Sequence, residues 1–309
     1  MSTTPLLPVW SLGLVDDAAV FPPGLSPLDQ AWRDHQELRS GAYAECVGPL
    51  LLAPIHVSEL VLAAHADHEN SDAGRSDSDD GAGLPPVSVR VIGRAGTPFT
   101  DLHTAIETLG KMSGVLTAGL EISYGLGWTA ALQHGLPLAV EVSRVAAERD
   151  SALDEIARVR ADDHPVIAKL RTQSTASVPV PTAAELAGFV IDCRQRDLPF
   201  KLTGGLHHAV ATGWERQHAV NGKPEHGVMN VLLATHAALS GAATAEMAQI
   251  LTRTDAPPLA ASLRTLTREQ QRDLRAAFTS YGCCGVLDPL AELAALGLLP
   301  APIPDEEPV

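Results

Sequence analysis

Apolar runs too short to be helices alternate along this chain with stretches of helical periodicity. That alternation is the signature of βα units wound around a mainly parallel sheet. Strands are predicted at Val47–Ala53, Val87–Gly93, Gly119–Tyr124, Leu136–Ser143, Val166–Thr172, Pro199–Thr203 and, on weaker patterning, Phe278–Cys283. Helices are predicted at about 56–65, 100–111, 127–134, 151–160, 182–196, 227–240, 244–253, 268–277 and 288–296, with Thr182 and Glu185 spaced as a capping box and Pro289 in a first turn. Six firm strands, and as many as eight with the termini, fit a (β/α)8-type, TIM-like barrel in one α/β domain spanning residues 1–299. A doubly wound open sheet is the alternative. The stretch 227–277 shows three helical patterns and no strand, so irregularity is expected in the C-terminal third.

Because successive strand residues face opposite sides, each predicted strand splits into two registers. Leu120 and Ile122 part from Glu121 and Ser123; Val140 and Val142 from Glu141 and Ser143; Ala168 and Leu170 from Lys169 and Arg171; Phe200 and Leu202 from Lys201 and Thr203; Val89 and Val91 from Ser88 and Arg90. Helices covering a parallel sheet bury the apolar register, which sends Arg90, Glu121, Glu141, Lys169, Arg171 and Lys201 into one interior. Unpaired buried charge is costly, so these groups must pair around a hydrated pocket near the C-terminal strand ends. Their positive excess suits a small anionic ligand, with Arg90 and Arg171 as its anchors. A structural ion-pair network in a non-catalytic binding or assembly protein is the competing reading.

The chain as a whole is acidic, with a formal net charge of −15 from 22 basic and 37 acidic side chains, which argues against a nucleic-acid partner. No apolar run approaches the ~20 residues of a membrane span and no signal segment is legible, so a cytoplasmic protein is expected. Four cysteines are too few and too unevenly spaced for a disulfide framework. Residues 66–86, rich in Asp, Ser and Gly, read as a mobile acidic insertion, and residues 300–309 as a disordered tail. A homo-oligomer is left open.

Only four of the 22 basic residues are lysines (Lys111, Lys169, Lys201, Lys223), and two of these share a register on adjacent predicted strands. A desolvated lysine beside another cation loses its proton more readily and attacks carbonyls, chemistry that arginine cannot perform. Lys169 is thus the candidate nucleophile, Lys201 the cation that lowers its pKa, and Glu121 or Glu141 the acid/base. The segments IAKLRTQ and FKLTGGLHH resemble the two-lysine arrangement of deoxyribose-phosphate-type class I aldolases. That resemblance implies an imine at Lys169, a perturbing Lys201, and a phosphate-binding turn at Gly204 and Gly205. The sequence differs from the family in Arg171-Thr172-Gln173, where a small Ser/Thr-Gly turn is usual, and in His207-His208 after the glycines.

A second resemblance covers most of the chain. Asp16-Asp17-Ala18 leading to Phe21-Pro22-Pro23, Phe200-Lys201 through His208, His226-Gly227 with Asn230, and Ser280-Tyr281-Gly282-Cys283 are similar to motifs of a widespread bacterial family that carries no assigned activity. It implies a shared site that includes Thr203, His226 and Asn230 among its ligand contacts.

The remaining groups have ordinary readings beside chemical ones. His207 or His208 is placed at a strand end, either as a proton shuttle or, with Glu121, Glu141 and His226, as a ligand to a divalent metal. No close-spaced metal motif occurs, and no cofactor is expected otherwise: neither a dinucleotide fingerprint nor a P-loop is present. Segment 206–226 reads as a long loop after a strand. Asp16 and Asp17 read as a turn cap, with paired catalytic acids as the alternative, and Cys283-Cys284 as a packed, reduced pair, with a thiol activated by the helix that starts at Asp288 as the alternative. The function expected is lyase chemistry of the aldolase type on a small anionic carbonyl or phosphosugar-like substrate, with a metal-dependent lyase or isomerase as the alternative.

Overall fold

A computed structural model describes residues 7–73, 85–175, 178–213 and 224–301. Eight strands, β1 (Val15–Asp17), β2 (Val47–Leu52), β3 (Val87–Gly93), β4 (Val115–Ser123), β5 (Leu138–Glu141), β6 (Val166–Arg171), β7 (Phe200–Thr203) and β8 (Phe278–Cys283), follow one another around a closed barrel. Every neighbouring pair is parallel, including β1 with β8. The molecule is a (β/α)8 barrel, and closure of the sheet excludes the open doubly wound alternative. Helices α1 (Leu28–Ser40), α2 (Val57–Ala73), α3 (Phe99–Leu109), α4 (Ala146–Ala161) and α5 (Ala183–Gln195) cover the first strands, and α6 (Val228–Leu239), α7 (Thr244–Leu251), α8 (Ala256–Arg264) and α9 (Arg268–Ala277) all fall between β7 and β8. A last helix, α10 (Leu287–Ala295), follows β8.

The expected register holds. Val166, Ala168, Leu170, Phe200 and Leu202 are buried outside the sheet against a core that includes Leu186, Phe189 and Leu232. Phe200 meets Phe189 edge-on at 5.4 Å and stacks on Phe278 at 5.3 Å, geometries that suit the ring quadrupole. Thr182 and Glu185 form the predicted capping box at the start of α5, a device that stabilises a helix by about 1 kcal/mol.

The irregularity expected over 227–277 takes the form of four helices between β7 and β8, with Pro257 and Pro258 in the first turn of α8, where proline is tolerated. Three details differ from the sequence reading. The helix predicted at 127–134 is a 3-10 helix, Trp128–His134, confined by Gly127 and Gly135 with left-handed backbone. The segment holding Asp16 and Asp17 is a strand, too short for its periodicity to show. Finally, residues 66–73 of the supposed mobile insertion continue α2; residues 74–84 and the tail from 302 lie outside the described residues.

Candidate functional site

A chain of alternating charge crosses the barrel interior from β1 to β6. Asp16 accepts a hydrogen bond from Lys201 Nζ at 2.5 Å and from Ser280 Oγ at 3.1 Å. Lys201 also pairs with Glu121. Glu121 Oε2 lies 2.7 Å from Lys169 Nζ, Lys169 lies 3.0 Å from Glu141 Oε2, and Arg171 grips Glu141 through Nε at 3.0 Å and an Nη at 3.3 Å. Backbone register makes this possible: Glu141, Lys169 and Lys201 are direct partners on β5, β6 and β7. Gly48 on β2 leaves room for Asp16, since a Cβ there would come within 2.2 Å of its carboxylate.

The chain runs from dry to wet. Lys201 and Glu121 are fully buried and Asp16 nearly so, whereas the side chains of Glu141 and Arg171 are 19% and 28% exposed. Burial alone would raise the carboxyl of Glu121, but Lys169, Lys201 and Arg90 outweigh it and hold the group well below the usual carboxylate range. Glu141 is lowered in the same way, burial being outweighed by Lys169 and Arg171. Lys169 is raised: burial favours its neutral form, but Glu121 and Glu141 together win. The expectation that Lys201 depresses Lys169 is therefore corrected, because Lys201 faces Asp16 and Glu121 and two carboxylates stand against Lys169. With Asp16 included, half of the expected positive excess is gone.

At the C-terminal end of the strands this chain opens into a cavity of about 40 Å³, lined among others by Phe21, Arg94, Glu121, Lys169, Arg171 and Gln173, with Thr203, Gly204, Gly205, His207 and Cys284 opposite. This is the end at which (β/α)8 enzymes place their chemistry, and the volume suits an occupant of a few heavy atoms. Arg94 stacks on Phe21 at 5.0 Å, so a second cation faces the mouth beside Arg171. The turn at Gly204 is dictated sterically: its φ is +73° and a Cβ would meet the Gln173 side chain at 2.6 Å.

Several candidates are placed elsewhere. Arg90 stands opposite Gly119, two residues short of Glu121 along β4, and acts on Glu121 rather than on the cavity. His208 turns toward α10, with Nδ1 2.7 Å from Glu292. His226 is buried with Nε2 2.8 Å from the Pro181 carbonyl, and burial pushes it down to about 4, so it is a neutral tie between loops. Asn230 accepts from the Ala211 amide at 2.8 Å and donates to the carbonyls of Ile250 and Arg253 at 2.7 and 2.8 Å. It fastens the loop after β7 to α6 and α7 rather than contacting ligand. Replacing Asn230 by alanine strands these partners, and melting curves should show a loss of about 1–3 kcal/mol with ligand binding intact.

Asp17 accepts from the Ala19 amide at 3.0 Å, the cap its sequence suggests, and also pairs with buried His35 at 2.9 Å. Asp16, by contrast, is part of the charged interior, and its signal was hidden in the same acidic pair. Arg94 and Gln173 line the mouth without any sequence signal, since loops after strands carry no periodicity. Among the described residues no group of three or more His, Cys, Asp or Glu is placed to hold a metal ion, and no helix is long and apolar enough to cross a membrane.

The chain matches no family model and no curated protein. One similar solved structure is described as a monomeric dihydrodipicolinate synthase variant, at 14% sequence identity and a TM-score of 0.36 over 88% of this chain and 98% of that one. A likeness at that score carries nothing about chemistry. The fold and the cavity define the class: a (β/α)8 barrel with a lysine-bearing, ion-paired mouth. The closed ladder of eight parallel strands carries that assignment by itself.

Proposed function

We propose that the barrel is an enzyme acting on a small anionic carbonyl compound through an imine on Lys169, in lyase chemistry of the aldolase type. One observation carries the reading: Lys169, the one lysine among the described residues that lines the cavity, has its amine between two carboxylates, with Arg171 and Arg94 on the same cavity wall. Arg171 and Arg94 attract the anion, and the carbonyl carbon comes to the amine. Glu121 and Glu141 flank Nζ and hold it as an ammonium, so its proton must pass to solvent base before the amine can attack. Burial of Lys201 behind Glu121 fixes that carboxylate so that Lys169 has one position. The metal-dependent alternative is less favoured because both glutamates already serve lysines, His208 and His226 face away, and both ring nitrogens of His207 are engaged by Glu225 and Cys284.

Incubation with glyoxylate or pyruvate and sodium cyanoborohydride, followed by peptide mass spectrometry, tests this. The expected result is a reduced adduct on Lys169 that is absent from the Lys169→Met variant. No adduct on Lys169 with any small aldehyde or keto acid, at any pH up to about 10, would end the imine reading.

A further inference from the structure

The same cavity holds a second nucleophile. Cys284 Sγ lies 3.2 Å from His207 Nε2, and His207 Nδ1 lies 2.9 Å from Glu225 Oε2. Thiol, imidazole and carboxylate are therefore in hydrogen-bond sequence, the arrangement in which a base takes the nucleophile's proton and a third group orients the base. Cys284 and His207 both line the cavity that Lys169, Arg171 and Arg94 line. The other three cysteines are buried, and burial pushes all of their thiols up. Only Cys284 combines access with a base.

The backbone is bent to make this contact. Gly204 and Gly205 both have φ of +73°, and Leu206, a buried aliphatic residue, follows at +60°. A leucine in the left-handed region is strained and persists only where surrounding structure enforces it. Three successive left-handed residues turn the chain at the end of β7, and the next side chain, His207, is the one that meets Cys284. Its neighbour His208 is directed to Glu292 instead. Hydrogen bonds to Cys284 and to Glu225 outweigh burial and raise His207 to about 10.

We propose that Cys284 is a covalent nucleophile of this cavity, held as a thiolate–imidazolium pair with His207, and that it adds reversibly to a small aldehyde bearing a carboxylate. In the step, the sulfur electron pair forms a C–S bond to the carbonyl carbon and the C–O π pair moves to oxygen. That oxygen takes the Nε2 proton of His207, leaving neutral imidazole against Glu225. The product is a hemithioacetal, and no oxidant or reductant is needed. The ligand class rests on the anionic carbonyl reading above, but the thiol's reactivity does not.

Alkylation with iodoacetamide, read by mass at Cys284, tests both parts. At pH 6.5 the His207→Gln variant should react at least about tenfold more slowly than the native protein. At pH 10, where a thiol ionises unaided, the rates should converge. Glyoxylate should slow alkylation of Cys284 in the native protein and, to a smaller but measurable extent, in Lys169→Met, which cannot form the lysine imine. Equal rates at pH 6.5 in native and His207→Gln protein would overturn the proposal, as would absence of glyoxylate protection in Lys169→Met. Borohydride trapping on Lys169 in a Cys284→Ala variant separates the two readings: an adduct there keeps the imine reading whatever the fate of the thiol.

Discussion

Replacing Lys201 with methionine should lower the free energy of unfolding by about 3–5 kcal/mol, the usual cost of deleting one partner of a buried ion pair. Lys201 is fully buried and bridges Asp16 and Glu121. Methionine fills similar volume, so the loss comes from charge: Asp16 loses its ion pair and keeps the Ser280 hydroxyl, while Glu121 keeps Lys169. The urea midpoint should fall at unchanged slope. Lys201→Met combined with Asp16→Asn should recover part of the loss, because the stranded charge is removed with its partner. Lys169→Met should cost less, since Glu141 is partly exposed and retains Arg171. A loss below about 1 kcal/mol in Lys201→Met would show that Lys201 does not clamp the interior.

The same network sets a pH window. Glu121 and Glu141 are lowered by folding, so their contribution is complete above the unfolded value of about 4.3 and is lost as pH falls through the folded values. Lys169 is raised, so its contribution is complete below about 10.4 and is lost as pH rises through the folded value.

The second large effect concerns reactivity. Because two carboxylates hold Lys169 as an ammonium, imine trapping in the native protein should rise steeply only in alkaline solution. Glu141→Gln removes one of those carboxylates while Glu121 stays paired with the amine. The pH midpoint of the trapping rate should then fall by about 1–3 units, the range an adjacent opposite charge supplies. At neutral pH the variant should form the adduct roughly tenfold faster or more, since each unit is a factor of ten. An unmoved midpoint would mean that Glu141 does not hold the amine in its charged form.

Sequence alone determined the barrel and the direction in which its charges point. Strand alternation has a period of two, so Glu121, Glu141, Lys169, Arg171 and Lys201 could be assigned to the interior without coordinates. The existence of α5 was legible too, because its cap is a local motif. What only the tertiary structure decided is pairing. Which carboxylate meets which lysine depends on the register between strands that are distant in sequence, and Asp16 reaches Lys201 across 185 residues. That is why a lysine expected to be depressed is raised, and why Arg90, on the same face, never reaches the mouth. Loops obey no period, so the contacts of His207 with Cys284 and Glu225, and the use of His226 and Asn230 as loop ties, follow from the path of the chain beyond each strand end.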